Sequence, residues 1–353
     1  MRGSIGMGVV LVAGLSAALA PAPVAKADDF FRSREITIMV GSDPGGGYDG
    51  YARLFARFMP RYIAGTPVMV VRNMPGAGGI RSANFVYNVA PKDGTTIGIL
   101  DRGIPTAPLL YGEASKAQFD GTRFAWIGSA MRESGMGVVS SRSPAHSIEE
   151  AKHVDVMLGS NGAESDPAMY PRLLNALIGT RFKIINGYKG QPEMFNAVEK
   201  DELHGLFMSG WSGPGRDHVL KWVGEGKALL LVQMSLKRDP AIPDNVPMVM
   251  DLLGSEDDRR IIEMVLARLE LGRPFVGPPD TLSDRVETLR AAFRKATEDP
   301  ELLADARRQK YVINPIYGAD AEELIARLYA TSPEALERMR RISKPDDTAP
   351  SVP

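Results

Sequence analysis

The chain alternates strand-like and helix-like segments, and this alternation limits the folds that it can adopt. The segment from Glu35 to Gly41 is apolar and β-branched, and the segment from Asp49 to Ile63 then carries apolar residues at helical spacing. A strand at 67–72, a helix at 78–89 and a strand at 95–100 follow. A βαβαβ succession of this kind predicts a mainly parallel sheet with helices on its faces. The predicted fold class is therefore α/β.

The same alternation restarts near residue 131, which predicts a second domain of the same class. Its predicted strands are 135–140, 154–159, 182–186, 204–209 and 228–234, and its predicted helices are 167–178 and 191–199. The last third is mainly helical, with two short strand-like segments at 246–250 and 274–277. Because this block has too few strands to form its own sheet, we expect it to return to the first domain. We therefore predict two lobes, lobe 1 from 28–130 and 243–342 and lobe 2 from 131–242, with connections near 124–132 and 234–244.

The two ends of the chain carry signals of another kind. Arg2 precedes an apolar stretch from Ile5 to Ala20, and Ala25-Lys26-Ala27 provides a small-x-small cleavage site. These three parts in this order predict a signal peptide over residues 1–27 and export to the periplasm. At the other end, residues 343–353 are polar and rich in proline, which is typical of a flexible tail.

Charge and cysteine usage exclude several classes of function. Removal of residues 1–27 takes away Arg2 and Lys26, which leaves 40 basic against 43 acidic residues and a formal charge near −3. Such a balance is not that of a protein that binds nucleic acid. The chain has no cysteine, so disulfides, thiolate metal sites and a cysteine nucleophile are excluded.

The most informative segment runs from Gly41 to Asp49, between a predicted strand and a predicted helix. A glycine-rich turn before a helix exposes backbone N–H groups next to the positive end of the helix dipole, which favours a carboxylate or a phosphate. An ordinary tight turn would account for the glycines equally well. Asp49 is expected to be the N-cap of the helix. The candidate ligand-binding residues here are Ser42, Pro44, Gly45, Gly46, Gly47, Tyr48 and Asp49.

A second glycine turn, from Asn73 to Gly79, again lies between a strand and a helix. Two such turns at the carboxyl ends of strands in one sheet face the same edge, where open α/β sheets bind ligands. The candidates in this turn are Asn73, Gly76, Ala77 and Gly78, and Arg102, just past the third strand, is a candidate for a second carboxylate.

Three turns of the second domain repeat the arrangement. Each follows a predicted strand and offers hydroxyl, amide or backbone groups, which are typical of a polar small-molecule cleft. Trp211 either stacks on the ligand or packs in the core, and the sequence leaves both readings open. The candidates are Ser160, Asn161, Gly162, Ser165, Tyr188, Lys189, Gly190, Ser209 and Trp211.

The order of these motifs resembles that of the substrate-binding receptors of tripartite tricarboxylate transporters, the Bug family. The resemblance covers essentially the whole chain after the predicted signal peptide. Five motifs carry it: Pro44-Gly45-Gly46-Gly47-Tyr48-Asp49, Asn73-Met74-Pro75-Gly76-Ala77-Gly78-Gly79, Pro91-Lys92-Asp93-Gly94-Thr95-Thr96, Tyr188-Lys189-Gly190, and the proline-rich stretch from Lys237 to Pro247.

The resemblance implies a periplasmic-binding-protein-like fold with two lobes that close like a Venus flytrap. It also implies a small carboxylate ligand, held by main-chain N–H groups, hydroxyls and waters, and a membrane permease with a large and a small subunit as the partner. The chain departs from the family pattern at Gly41-Ser42-Asp43 and at the segment from Arg273 to Pro279. These departures bear on which ligand is bound.

Other functional classes have less support in the sequence. None of the four histidines has the spacing of a metal site, and Ser209-Gly210-Trp211-Ser212-Gly213 is not the G-x-S-x-G turn of hydrolases. We therefore expect no catalytic residues, no cofactor, no metal and no enzymatic activity. A ligand-sensing protein that signals to a membrane kinase remains an alternative to a transport receptor.

Overall fold

The structure is a computed structural model of the 353-residue chain. It describes residues 29–162, 165–212 and 214–343, together with Met1. The predicted signal peptide and the predicted tail beyond residue 343 lie outside the described residues.

The strands alternate with helices through most of the chain. In chain order the strands are β1 (Glu35–Val40), β2 (Val68–Asn73), β3 (Thr96–Ile99), β4 (Ala125–Ser129), β5 (Gly135–Ser140), β6 (Val156–Ser160), β7 (Phe182–Asn186), β8 (Gly205–Met208), β9 (Ala228–Met234), β10 (Pro274–Gly277) and β11 (Ile316–Tyr317). The α-helices are α1 (Gly47–Phe58), α2 (Ile80–Asn88), α3 (Ala107–Tyr111), α4 (Asp166–Ile178), α5 (Gln191–Glu199), α6 (Pro214–Gly224), α7 (Glu256–Glu270), α8 (Ser283–Glu298), α9 (Pro300–Arg308), α10 (Gly318–Tyr329) and α11 (Pro333–Ser343).

The strands form two sheets, and the predicted two-lobed α/β fold is confirmed. The first sheet has the order β11-β4-β10-β3-β1-β2, and the second has the order β7-β6-β8-β5-β9. In the first sheet β1 to β4 run in one direction and β10 and β11 run against them. In the second sheet only β5 runs against the other strands. Most strands of each sheet thus point in one direction, as the βαβ succession predicts, but both sheets are mixed, because three of the five strand pairs in the first and two of the four in the second are antiparallel.

The path of the chain assigns each segment to a sheet. It passes from the first sheet to the second between β4 and β5, and it returns after β9 to add β10 and β11 to the first sheet. We call the part built on the first sheet lobe 1 and the part built on the second sheet lobe 2. The boundaries at 130/131 and 242/243 stay a prediction.

Aromatic clusters show why the last third of the chain belongs with lobe 1. The ring centroid of Phe55 in α1 lies 5.0 Å from that of Phe275 in β10 and 5.0 Å from that of Phe293 in α8. All three side chains are buried. In lobe 2, Phe207 of β8 contacts Tyr170 of α4 and Phe182 of β7. Each sheet is thus covered by helices whose apolar side chains meet its strands.

Some predicted elements differ from the structure. The predicted strand at 246–250 is wrong, because residues Val249–Leu252 form a 3₁₀-helix and only Met248 bridges to Gln233 of β9. The strand β4 lies within the segment 124–132 that was predicted to be a connection. The elements α3, α6 and β11 were not predicted, since they are short or interrupted by glycine and proline, which weakens their periodicity.

Candidate functional site

The first glycine turn joins β1 to α1 and leaves the start of the helix open. Gly46 is the N-cap and no side chain caps the helix, so the first N–H groups of α1, at Gly47 and Tyr48, have no partner within the helix. The expectation that Asp49 is the N-cap is wrong, because Asp49 lies inside the first turn. Gly45 has φ +83°, in the region that favours glycine, so the turn depends on that residue.

Asp49 holds the two glycine turns together. Its buried carboxylate accepts hydrogen bonds from the Gly45 N–H at 2.8 Å and from Asn73 Nδ2 at 3.0 Å, and Arg53 donates to both of its oxygens. Asn73 Nδ2 also donates to the Ser42 carbonyl at 2.9 Å. Desolvation by burial acts to raise the pKa of Asp49, but the bonds from Arg53, Gly45 and Asn73 outweigh it and lower that pKa. Asp49 therefore acts as an ionised positioning group.

The two turns also touch through their backbones. A Cβ on Gly41 would lie only 2.9 Å from Gly79 Cα, so only glycine fits there without displacement. The second turn is itself left-handed at several positions, and Gly79 is the N-cap of α2, again without a side-chain cap. The helix starts of α1 and α2 therefore lie side by side at the carboxyl edge of the first sheet.

A cavity of about 330 Å³ opens between these turns. Of the predicted residues, Ser42, Tyr48, Gly76 and Gly78 line it; the remaining lining residues are Gly41, Asp43, Pro75, Gly79 and Asp101. Seven further predicted residues lie in the same two turns but are not part of this lining: Pro44, Gly45, Gly46, Gly47, Asp49, Asn73 and Ala77.

Tyr48 is fixed at the wall of the cavity by two contacts. Its hydroxyl accepts a hydrogen bond from the Arg102 N–H at 2.9 Å, and the Arg273 guanidinium lies 4.4 Å from its ring centroid. Burial, and secondly the charge of Asp101, raise the pKa of Tyr48 to about 12. The phenol is therefore neutral near pH 7, and its O–H remains available as a donor.

Arg102 links the two lobes. Its guanidinium donates to Asp166 Oδ2 at 3.1 Å, and Arg268 of α7 lies 3.3 Å from Asp166 Oδ1. Asp166 opens α4 of lobe 2 and its side chain is 3% exposed. Burial acts to lower the pKa of Arg102, but the charge of Asp166 outweighs it and raises that pKa. The candidate for a second ligand carboxylate is thus already paired with a carboxylate of the protein.

The turns of lobe 2 meet each other but mostly bond to themselves. The hydroxyls of Ser160 and Ser165 both donate to the Gly162 carbonyl, and the Tyr188 N–H donates to the Ser160 carbonyl at 3.2 Å. Asn161 and Lys189 are exposed, and Gly190 is the N-cap of α5 without a side-chain cap. Residues 163 and 164 of the first of these turns lie outside the described residues.

Trp211 is a core residue of lobe 2. It is 3% exposed and belongs to the same buried cluster as Met208 and Trp222. Its backbone N–H donates to Glu133 Oε1 at 2.9 Å, and the Ser212 hydroxyl donates to the other oxygen of Glu133. Burial raises the pKa of Glu133 in spite of these bonds. The Trp211 ring is thus packed in this cluster, its buried indole N–H has no hydrogen-bond partner among the described residues, and the neighbouring Ser209 is partly exposed.

Four side chains near the cleft were not among the predicted residues. Asp101 follows β3, Glu133 connects the lobes, Arg268 faces Asp166 and Arg273 covers Tyr48. Only Arg273 had a signal in the sequence, since it stands in the segment that departs from the family pattern. The others depend on contacts between distant segments.

The part of the chain that the structure describes contains no cluster of three or more histidine, aspartate or glutamate side chains that could hold a metal ion. Nor does any described helix combine the length and the apolar character that crossing a membrane requires.

Comparison with known proteins identifies the family. Residues 52–324 match the model of the tripartite tricarboxylate transporter family receptor, TctC. The chain belongs to this receptor family. It is 29% identical over 320 residues to the UPF0065 protein in the gbd 5'region of Cupriavidus necator, covering 86% of this chain and 89% of that one.

Solved structures of solute-binding proteins share the fold of the receptor. A ligand-free TctC solute-binding protein from Polaromonas superposes with a TM-score of 0.68 at 19% identity, covering 88% of this chain and 98% of that chain. An R. palustris protein solved with adipate gives a TM-score of 0.51 at 18% identity, covering 88% and 96% of the two chains. The receptor is therefore a two-lobed solute-binding protein of this family.

Proposed function

We propose that the receptor works in the periplasm, where it captures a small carboxylate and delivers it to the large and small membrane subunits of a tripartite transporter. The observation that carries the proposal is the cavity between the two glycine turns, at the uncapped start of α1, where the first N–H groups have no partner within the helix. Backbone N–H groups at a helix start bind anions because the groups are unpaired and the helix dipole is positive there. The structural relative solved with adipate fits a carboxylate ligand.

The ligand carboxylate would lie over the turn from Pro44 to Asp49, with the turn from Asn73 to Gly79 beside it. The Tyr48 hydroxyl would add a neutral donor. From lobe 2, the described residues of 160–162, Ser165 and the segment 188–190 would close from the other side, with Ser209 and Trp211 behind them. The engaged hydroxyls of Ser160 and Ser165 favour backbone contacts from this lobe.

A thermal-shift screen of mono-, di- and tricarboxylates, each paired with its neutral amide, tests the ligand class. A ligand that binds only the folded form raises stability by about 2.7 kcal/mol at 100 times its Kd. We expect acids to raise the melting temperature and the matching amides to leave it unchanged. Equal shifts by the acids and their amides, or no shift by any acid, would contradict the proposal.

The substitution Gly46→Val tests the position of the carboxylate. Gly46 has φ −72°, which valine tolerates, so the fold should survive. The added Cβ would sit 3.3 Å from the Asp43 carbonyl and crowd the mouth of the turn. Affinity should fall more than about tenfold. Gly254→Val, at an exposed position whose Cβ meets open space, is the matched control.

Export and partnership need separate measurements. N-terminal sequencing of the periplasmic fraction should give a chain that begins at or near Asp28, and an intact Met1 in the cytosol would refute export. Deletion of either permease subunit should abolish uptake of the ligand without changing its binding to the purified receptor.

A further inference from the structure

A second cavity, of about 510 Å³, adjoins the cavity between the glycine turns. Asp101 lines both cavities, and Ile80 of the second directly follows Gly79 of the first. Ile104, another wall residue of the second cavity, lies 3.7 Å from the position of a Cβ on Gly79. The two cavities therefore meet at the end of the second glycine turn. A ligand whose carboxylate sits at the helix starts would extend from there into the second cavity.

The walls of the second cavity are largely apolar. They come from α3 and the loop before it, from α4 of lobe 2, and from α7 and α11; the principal side chains are Ile104, Leu110, Met169, Met264, Val265 and Met339. Three of the six are methionines, whose unbranched thioether chains adapt to apolar bodies of different shape. A volume near 510 Å³ is within the range of small-molecule sites.

The cations of the second cavity already have partners. Arg268 pairs with Asp166 at 3.3 Å, and the Arg340 guanidinium donates to the carbonyls of Leu109 at 2.8 Å and Leu110 at 3.0 Å. Arg268 thus faces a carboxylate of the protein and Arg340 is held at two carbonyls, although the buried Nε of Arg268 has no hydrogen-bond partner among the described residues. The rest of the walls is largely apolar and favours a ligand body with little charge.

Asp101 adds a negative charge at the junction of the two cavities. Its Oδ1 accepts a hydrogen bond from the Gly103 N–H at 3.1 Å, and no arginine or lysine among the described residues forms an ion pair with it. Its carboxylate would repel a second anionic group that passes the junction, and the repulsion is strong where water is partly excluded.

We propose that the natural ligand is a monocarboxylate with an extended apolar body, which fills the second cavity while the carboxylate binds between the glycine turns. The inference rests on the proposed function and names the ligand class more narrowly. It differs from the ligand of the relative solved with adipate, which has carboxylates at both ends. In this receptor the far end of the ligand would meet methionine and leucine.

Calorimetric titration with two matched series tests the inference. One series contains straight-chain monocarboxylates from two to eight carbons, and the other contains dicarboxylates of the same lengths. Affinity for the monocarboxylates should rise about fourfold per added methylene until the cavity is full, as burial of about 0.8 kcal/mol per CH₂ implies. Each longer monocarboxylate should bind at least about tenfold more tightly than the dicarboxylate of equal length.

Two variants locate the effect. Asp101→Asn should raise the affinity for dicarboxylates by about tenfold more than that for monocarboxylates, because Asp101 lines both cavities and faces both carboxylates of the first class but only one of the second. Ala107→Phe, which fills the second cavity, should weaken binding of the long acids while acetate binds as before. Ala326→Phe, exposed on α10, is the matched control for the added ring.

The outcomes separate the two proposals. If no acid of either series binds, the proposed function fails. If short acids bind but affinity does not grow with chain length, or dicarboxylates bind as tightly as monocarboxylates, only the inference about the apolar body is overturned. The wild-type titrations decide this even if Ala107→Phe does not fold.

Discussion

Replacing Asp49 by asparagine should separate the two glycine turns, because one carboxylate joins them. The Asp49 carboxylate accepts hydrogen bonds from the Gly45 N–H, from Asn73 Nδ2 and from two nitrogens of Arg53. Asp49 is only 2% exposed. An amide keeps the shape but offers one acceptor oxygen, so its NH₂ group would face one of these donors.

The expected loss of stability follows from the hydrogen bonds that the substitution weakens. Hydrogen bonds to a charged group contribute about 1.5–3 kcal/mol each, and the bonds from Gly45 and Asn73 are both affected. With partial relaxation we expect Asp49→Asn to lower the free energy of unfolding by about 2–4 kcal/mol. Arg53→Met removes only the half-exposed helical partner and should cost about 0.3–0.5 kcal/mol, so it is the matched control.

Urea unfolding of wild type, Asp49→Asn and Arg53→Met measures these differences, and calorimetric titration with the best ligand measures binding. Affinity of Asp49→Asn should fall more than about tenfold, since its two turns no longer hold their spacing. If Asp49→Asn costs no more than Arg53→Met and binds as wild type does, the carboxylate does not hold the site together.

The same variant should show a particular pH dependence. The pKa of Asp49 is lowered in the folded chain from its usual 3.8. A lowered pKa means that the contribution of Asp49 to stability is fully present above pH 3.8 and is lost as the pH falls through the folded value. The stability difference between wild type and Asp49→Asn should therefore be constant near neutrality and shrink below pH 3.8. A difference that stays constant into that acid range would refute the assignment.

Two further predictions concern close approach and the contact between the lobes. Gly41→Ala should lower the free energy of unfolding by about 1–3 kcal/mol and weaken ligand binding, because its methyl group would lie 2.9 Å from Gly79 Cα. The control Gly224→Ala places its methyl group in open space and should leave binding unchanged in the same titration. Arg102→Ala should open the cleft between the lobes and lower the free energy of unfolding by about 1–3 kcal/mol, because the buried Asp166 loses one of its two arginine partners. An unchanged radius of gyration in small-angle scattering, together with an unchanged unfolding midpoint, would argue against this contact between the lobes.

Local sequence determined the elements that begin and end with strong signals. The βαβ succession gave β1, α1, β2, α2 and β3 nearly as they occur, because apolar periodicity and glycine turns are properties of neighbouring residues. The two glycine turns face one edge for the same reason, since the carboxyl ends of parallel strands in one sheet must meet there.

Only the tertiary structure decided how the side chains at that edge are used. The sequence predicts that Asp49 caps a helix. In the structure its carboxylate accepts a hydrogen bond from Asn73, 24 positions away, and so joins the two turns. The sequence predicts that Arg102 is available to a ligand carboxylate, but its guanidinium donates a hydrogen bond to Asp166 of the other lobe. The apolar cavity beyond Asp101 joins residues from 80 to 340. Periodicity in the sequence indicates which face of one helix or strand is buried. The partner of a side chain depends on how elements that are distant in the sequence pack together, and no local pattern of residues contains that information.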